Sequence, residues 1–270
     1  MRPLFLRFGE LVGTLAWLLG IRRAVALEGL RRAFPALSEA ERRAVGRASY
    51  RQLGRSLGEI VVPLRGADLQ RNVRFEGWEV FEAARAGGRG VVCAVAHFGN
   101  FELLARAVPP RGVKLSVVVR NLGDAFGRWL LDHRSLSGVK NLPDRGSSGA
   151  ALAALRRGEV LAIAVDQNMR PSRGIFVDFF GEKACTTPAA AVFALRAGAP
   201  LIAAFPVRQA DGSHVVRIRG PFSTQRSGHE GVEDLTQQIT RALEEEIRAR
   251  PDHWFWVHRR WKTRPAGEEG

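Results

Sequence analysis

The stretch VVCAVAHFGNFELLARAV, Val91–Val108, decides how the chain is read. Six apolar residues lead to His97, the run breaks at Gly99-Asn100, and apolar residues resume after Glu102. A short, continuous apolar run bounded by a break is the pattern of a strand buried on both faces. The segment after the break, Phe101–Ala107, reads as a helix that Asn100 can cap. An imidazole therefore stands at the carboxyl end of a buried strand, where open α/β sheets bind ligands.

Outward from this stretch the pattern alternates. Strands are expected at Val91–Ala96, Leu115–Val119, Val160–Val165, Leu201–Val207 and Val215–Arg219, with a short one at Val73-Arg74-Phe75. Helices are expected at Phe101–Ala107, Gly123–Leu136, Ser148–Arg156, Pro188–Arg196 and Glu230–Arg250, and from Trp78 to a glycine stop. Upstream, SEAERRAV opens a helix over residues 38–60 with a Ser-x-x-Glu capping box. The fold class is α/β: a central, largely parallel (mixed) sheet flanked by helices, with an N-terminal helical region. The domains expected are a membrane-associated helix over residues 1–22 and a single α/β domain over 23–270.

The chain has 270 residues, 46% of them hydrophobic, and a formal net charge of +14. That charge favours anionic partners such as phospholipid headgroups, phosphorylated glycolipids or an acidic carrier protein. No helix-turn-helix, zinc finger or RNA-binding aromatic signature is present, so no nucleic-acid partner is expected. The two cysteines, Cys93 and Cys185, are far apart and form neither a disulfide framework nor a metal motif. No metal site is expected.

In the N-terminal MRPLFLRFGELVGTLAWLLGIRR, the uncharged stretch runs only from Leu11 to Ile21. Crossing a bilayer takes about 20 apolar residues. Leu4, Phe8, Leu11, Leu15, Leu18 and Leu19 recur near helical spacing, which suits an interfacial helix or, equally, a helix packed on the domain.

His97 and Glu102 are five residues apart, which a single helix would place on different faces. A strand, a tight turn and a helix start can fold the carboxylate back onto the imidazole, where it would fix the tautomer and raise the basicity of the free nitrogen. The competing reading of Glu102 is a first-turn carboxylate favoured by the helix dipole. Asp166, which ends VLAIAVDQN, reads as a strand-end carboxylate able to cap local backbone, and Thr186 and Thr187 read as helix caps ahead of Pro188. Arg145 precedes a helix start that suits anions; Arg120 and Arg173 are candidates for the same role. In RPDHWFWVHRRWKTRP, tryptophans beside basic residues suit a membrane interface or core packing, and Arg259 and Arg260 suit an acidic carrier or lipid phosphates.

HFGNFELL resembles the histidine–acid motif, HxxxxE, of the lysophospholipid-type acyltransferase superfamily. It is most similar to the branch of lipid A biosynthesis acyltransferases. RRAFPALSEAERRAV, ARAGGRGVV, LRRGEVLAIAVDQN, GIFVDFFGEKACTTPAAAVFALRAGAPLIAAF and WFWVHRRWKTRP match that branch in order, over roughly residues 22–265. The resemblance implies acyl transfer from a thioester on acyl carrier protein, or acyl-CoA, to a hydroxyl of a phosphorylated glycolipid such as a lipid A precursor. Phosphatidylinositol mannosides are acceptors of related branches. It implies that His97 is the general base and Glu102 its orienting partner. Asn100, Asp166, Gln167 and Thr187 join the arginines as substrate-binding residues. No cofactor is implied beyond the thioester co-substrate, and the place implied is the cytoplasmic face of the inner membrane.

Overall fold

The computed structural model describes residues 2–120 and 124–267. Three helices come first: α1 (Arg2–Leu18), α2 (Arg23–Ala33) and α3 (Glu39–Val61). Then follow α4 (Gly66–Asn72), β1 (Val73–Glu76), α5 (Trp78–Ala86), β2 (Val91–Val95), α6 (Phe101–Ala107), β3 (Leu115–Val119), α7 (Ala125–Ser135), β4 (Val139–Pro143), α8 (Ser148–Arg156) and β5 (Val160–Ala164). The chain continues through β6 (Ile175–Phe179), β7 (Glu182–Thr186), α9 (Ala189–Ala197), β8 (Leu201–Arg208), β9 (His214–Phe222) and α10 (Gly228–Ala249). Gly123, the expected start of the helix seen here as α7, lies outside the described residues.

Seven strands form one sheet in the order β1-β9-β8-β2-β5-β3-β4, with β8 and β9 antiparallel and every other neighbouring pair parallel. The sheet is mixed and largely parallel, as the apolar runs of β2, β5 and β8 predict. Strand alternation divides the core into two layers. Val92, Ala94, Leu161, Ile163, Leu201 and Ala203 pack with α8, α9, α10 and three tryptophans of the C-terminal segment. Val91, Cys93, Val160, Ala162, Ile202 and Ala204 face α5 and α6.

Three strands escaped the sequence pattern. β4, VKNLP, is an edge strand that pairs only with β3 and so lacks a continuous apolar run. β6 and β7 form a separate antiparallel hairpin, turned at Phe180-Gly181 where both residues have positive φ.

The N-terminal hairpin is held by close backbone approach. A Cβ on Gly9 would lie 2.1 Å from the Gly54 oxygen, and one on Gly13 equally close to the Tyr50 oxygen. Glu10 bonds Arg51 and Arg55 of α3, and Trp17 is buried edge-on against Tyr50. The opposite face of α1 is apolar and exposed: Leu4, Phe8, Leu11, Leu15, Leu18 and Leu19 are each 46–77% accessible. Among the described residues no single helix is long and apolar enough to cross a membrane; α1 and α2 together have the length but are bent by 87°.

Candidate active site

The turn after β2 is fixed from three sides. Gly99 has φ +56°, and a Cβ there would meet the Pro206 oxygen at 1.9 Å, so the position requires glycine. Asn100 caps α6: its Oδ1 accepts from the Leu103 N–H at 3.0 Å, and its Nδ2 donates to Glu59 Oε2 at 2.7 Å. Glu59 is in turn held by the Arg208 fork at 2.6 and 2.7 Å. The C-terminal segment closes the third side. The Phe255 N–H donates to the His97 carbonyl at 3.1 Å, and the Gly99 N–H donates to the His253 carbonyl at 2.8 Å.

The register of the central strands sets the chemistry. β2 and β5 pair from Val91↔Val160 to Val95↔Ala164, so His97 and Asp166 stand level, each two residues past its strand. His97 Nδ1 lies 2.9 Å from Asp166 Oδ1. An ionised carboxylate only accepts, so Nδ1 carries the proton and Nε2 presents its lone pair. Asp166 is 3% exposed, and its other oxygen accepts from the Trp254 indole N–H at 3.2 Å. The Gln167 amide nitrogen is 3.4 Å from His97 Nε2. Phe101 and Phe255 flank the ring, with centroids at 4.9 and 5.8 Å.

Burial alone would lower the His97 pKa, but the charge and hydrogen bond of Asp166 outweigh it and raise the imidazole above its ordinary value, with Glu102 adding to the effect. For Asp166, burial pushes up and the pairing with His97 pulls down more strongly, so the carboxyl lies below its usual range. His258 differs. Burial first, then nearby Arg260 and His97, hold it down to about 4, and its Nε2 accepts from the Asn168 N–H at 2.8 Å.

Glu102 does not occupy the place expected for it. It sits in the first turn of α6, 3% exposed, and both carboxylate oxygens go to Arg134 of α7. Arg134 also donates to Asn141 of β4 at 3.1 Å. The helix start aims Glu102 sideways at α7, while the strand register supplies His97 with Asp166 instead. Arg134 and Trp254, with Phe101, Phe255, Glu59 and Arg208, are residues around His97 and Glu102 that sequence reasoning missed. A signal for Asp166 as the partner was present, since His97 is the seventh residue from Val91 and Asp166 the seventh from Val160.

The other expected residues divide. Arg120 follows β3 and is close enough for its charge to lower the His97 pKa. Arg145 is exposed in the loop before α8, and Arg173 lies 3.7 Å from Asp144 of the same loop. Asn100 is buried with both ends of its amide engaged, and Thr187 Oγ1 accepts from the Ala189 N–H at 3.3 Å just ahead of α9, whose N-cap is Pro188. Trp254, Trp256 and Trp261 are core residues, which decides for core packing over the membrane interface as the reading of the C-terminal tryptophans.

An apolar groove opens between the sheet and α5–α6. It encloses about 690 Å³ of space, mouth included, and is lined by Cys93, Val95, Leu104, Ala105, Ala162 and Trp78 among others. Phe101 belongs both to this groove and to the surroundings of His97.

An α/β chain with a buried carboxylate on a half-buried imidazole at the carboxyl ends of its central strands, and an apolar groove beside them, has the parts for acyl transfer. Over residues 2–263 it matches the family model described as bacterial lipid A biosynthesis acyltransferase, and the chain belongs to that family. It is similar to the lipid A biosynthesis lauroyltransferase of Escherichia coli (strain K12), 29% identical over 98% of this chain and 87% of the relative. The palmitoleoyltransferase of that organism is 27% identical over 98% and 87%, and its myristoyltransferase 25% identical over 98% and 82%. The protein is an acyltransferase of lipid A biosynthesis type.

Proposed function

We propose that the protein moves a fatty acyl chain from acyl carrier protein, or from acyl-CoA, to a hydroxyl of a lipid A precursor at the cytoplasmic surface of the inner membrane. His97 is the general base and Asp166 its orienting partner. The observation that carries this reading is the 2.9 Å contact between His97 Nδ1 and Asp166 Oδ1, which leaves Nε2 as the free basic nitrogen.

In the reaction, Nε2 takes the proton of the acceptor hydroxyl as its oxygen attacks the thioester carbonyl. The imidazolium formed is stabilised by the Asp166 carboxylate. Collapse of the tetrahedral intermediate expels the thiolate, which recovers the proton from Nε2. The Gln167 amide yields its place near Nε2 to the hydroxyl, and Arg120 supplies positive charge near the developing oxyanion. Glu102 acts from a distance: its pair with Arg134 joins α6 to α7, and its charge adds to the basicity of His97.

The acyl chain occupies the groove behind Phe101. The exposed apolar face of α1, together with the chain's positive charge, supports seating on an anionic membrane surface. The test is transfer of radiolabelled acyl chains from acyl–acyl carrier protein and acyl-CoA to a tetra-acylated lipid A precursor, with phosphatidylinositol mannoside as a second acceptor. Label on the lipid A precursor with wild type and none with His97→Ala supports the reading. Equal label with both proteins overturns it.

A further inference from the structure

A second cavity lies between α2 and the C-terminal segment, outside the pair of residues that does the chemistry. It encloses about 740 Å³, mouth included. Ala24, Val25, Glu28, Gly29 and Arg32 of α2 form one wall, and residues 258–262 form the other. His258, which is hydrogen-bonded beside Asp166-Gln167, connects this wall to the active site.

The cations in it are unequally occupied. Arg32 is committed to Glu28 and Glu182, at 2.8 and 2.7 Å. Arg260 is 1% exposed and donates to the Cys185 carbonyl at 2.8 Å and to Thr186 Oγ1. Burial lowers its pKa to about 10. Arg259 and Lys262 are exposed and have no ion pair among the described residues. Glu28 is the one carboxylate on the wall, and Arg31 and Arg32 both neutralise it.

Two buried donors of residues on this wall meet no acceptor among the described residues: Nε of Arg260 and Nε1 of Trp261. Buried polar groups in folded proteins nearly always find a partner, and these two orphaned N–H groups belong to adjacent residues that line a cationic cavity. Two uncommitted cations beside unsatisfied donors suit a multiply charged, multi-oxygen group, which phosphate is and a single carboxylate is not. The position selects the source. α2 follows directly on the exposed apolar residues Leu18, Leu19 and Ile21, so the cavity wall adjoins the end of α1, whose outer face would seat on lipid.

We propose that this cavity binds a phosphate group of the glycolipid acceptor, holding the headgroup while its hydroxyl reaches His97. The assignment rests on the acceptor being a phosphorylated glycolipid. Arg259 and Lys262 supply the charge, and Trp261 and Arg260 supply donors from the wall.

The experiment is equilibrium binding, without turnover, of a tetra-acylated glucosamine disaccharide bisphosphate in neutral phosphatidylcholine nanodiscs. The same glycolipid after phosphatase treatment is the comparison. Wild type should bind the bisphosphate at least tenfold more tightly than the dephosphorylated form. Arg259→Ala/Lys262→Ala, which alters exposed residues only, should erase that difference and leave affinity for the dephosphorylated form within twofold. Trp261→Phe, in protein shown to be folded, should weaken the bisphosphate severalfold more than the dephosphorylated form. Millimolar inorganic phosphate competing with the bisphosphate would support the group as the one recognised. Equal affinity for the two glycolipids, or an unaltered preference in the double variant, would overturn the proposal. So would an equal loss of binding to phosphatidylglycerol vesicles, because the patch would then be a general anionic contact. A protein that discriminates the two lipids but transfers no acyl chain would refute the proposed reaction and leave this site standing. A protein that turns over with an unaltered double variant would do the reverse.

Discussion

His97 and Asp166 are 69 residues apart in the chain and level with each other in the sheet, joined at 2.9 Å because β2 and β5 pair in register up to their last residues. The partner of the imidazole is therefore set by sheet topology rather than by the local motif that follows His97.

The Glu102–Arg134 pair should show itself first in stability. Both side chains are buried, at 4% and 7% exposure. Removing one partner of such a pair costs ~3–5 kcal/mol. Glu102→Gln should lower the urea midpoint accordingly, and Glu102→Gln/Arg134→Met should recover part of the loss. A Glu102→Gln protein of wild-type stability that lacks activity would instead place Glu102 at the chemistry.

The pH dependence follows from the pairing. Catalysis needs neutral His97, whose pKa burial would lower but Asp166 raises above the ordinary 6.5. The profile of kcat/KM should fall on the acid side with a midpoint above that value and reach a plateau at higher pH. Stability has the opposite sign. A raised histidine pKa contributes stability that is present below the unfolded value and lost as pH rises through the folded one. Urea midpoints across that window measure the second effect independently of turnover.

The groove should set chain length. Ala105 and Ala162 line it with small side chains, and each added methylene of a larger residue removes room for one in the substrate. Ala105→Phe should shift preference among acyl thioesters of graded length toward shorter chains, with a stability cost of at most ~1–3 kcal/mol. An unchanged preference would place the acyl chain elsewhere.

The outer face of α1 is separable from its inner face. Gly9, Gly13 and Trp17 hold the helix to α3, so deleting it would uncover buried surface. Leu11→Glu/Leu15→Glu alters only exposed positions and should leave the thermal midpoint unchanged while releasing the protein from anionic vesicles in a flotation assay. Full retention on the vesicles would move the membrane contact to another surface.

The apolar runs at Val91, Leu115 and Val160 made the parallel centre of the sheet legible, and the break at Gly99-Asn100 marked the turn that carries His97. β4 was not legible because an edge strand with Lys140 and Asn141 has no buried-strand pattern. The site was half legible. His97 and Asp166 both stand out as polar residues ending apolar runs, but their juxtaposition depends on which strands are neighbours, which no local spacing encodes. Glu102 misled because its closeness to His97 in sequence is undone by α6, which turns it toward Arg134. The tryptophans read equally as interfacial or core residues, and burial decides for the core: Trp254 is buried with its indole N–H on Asp166.

The most direct test of the central claim is the pH–rate profile of acyl transfer by Asp166→Asn beside wild type, in protein shown to be folded. The pairing of His97 with Asp166 predicts a fall in kcat/KM of ~10²–10⁴-fold, the range of general-base contributions. It also predicts an acid midpoint moved downward, because burial then acts on the imidazole without the compensating charge. An Asp166→Asn enzyme with wild-type rate and an unmoved midpoint would contradict the account and return the partner's role to Glu102.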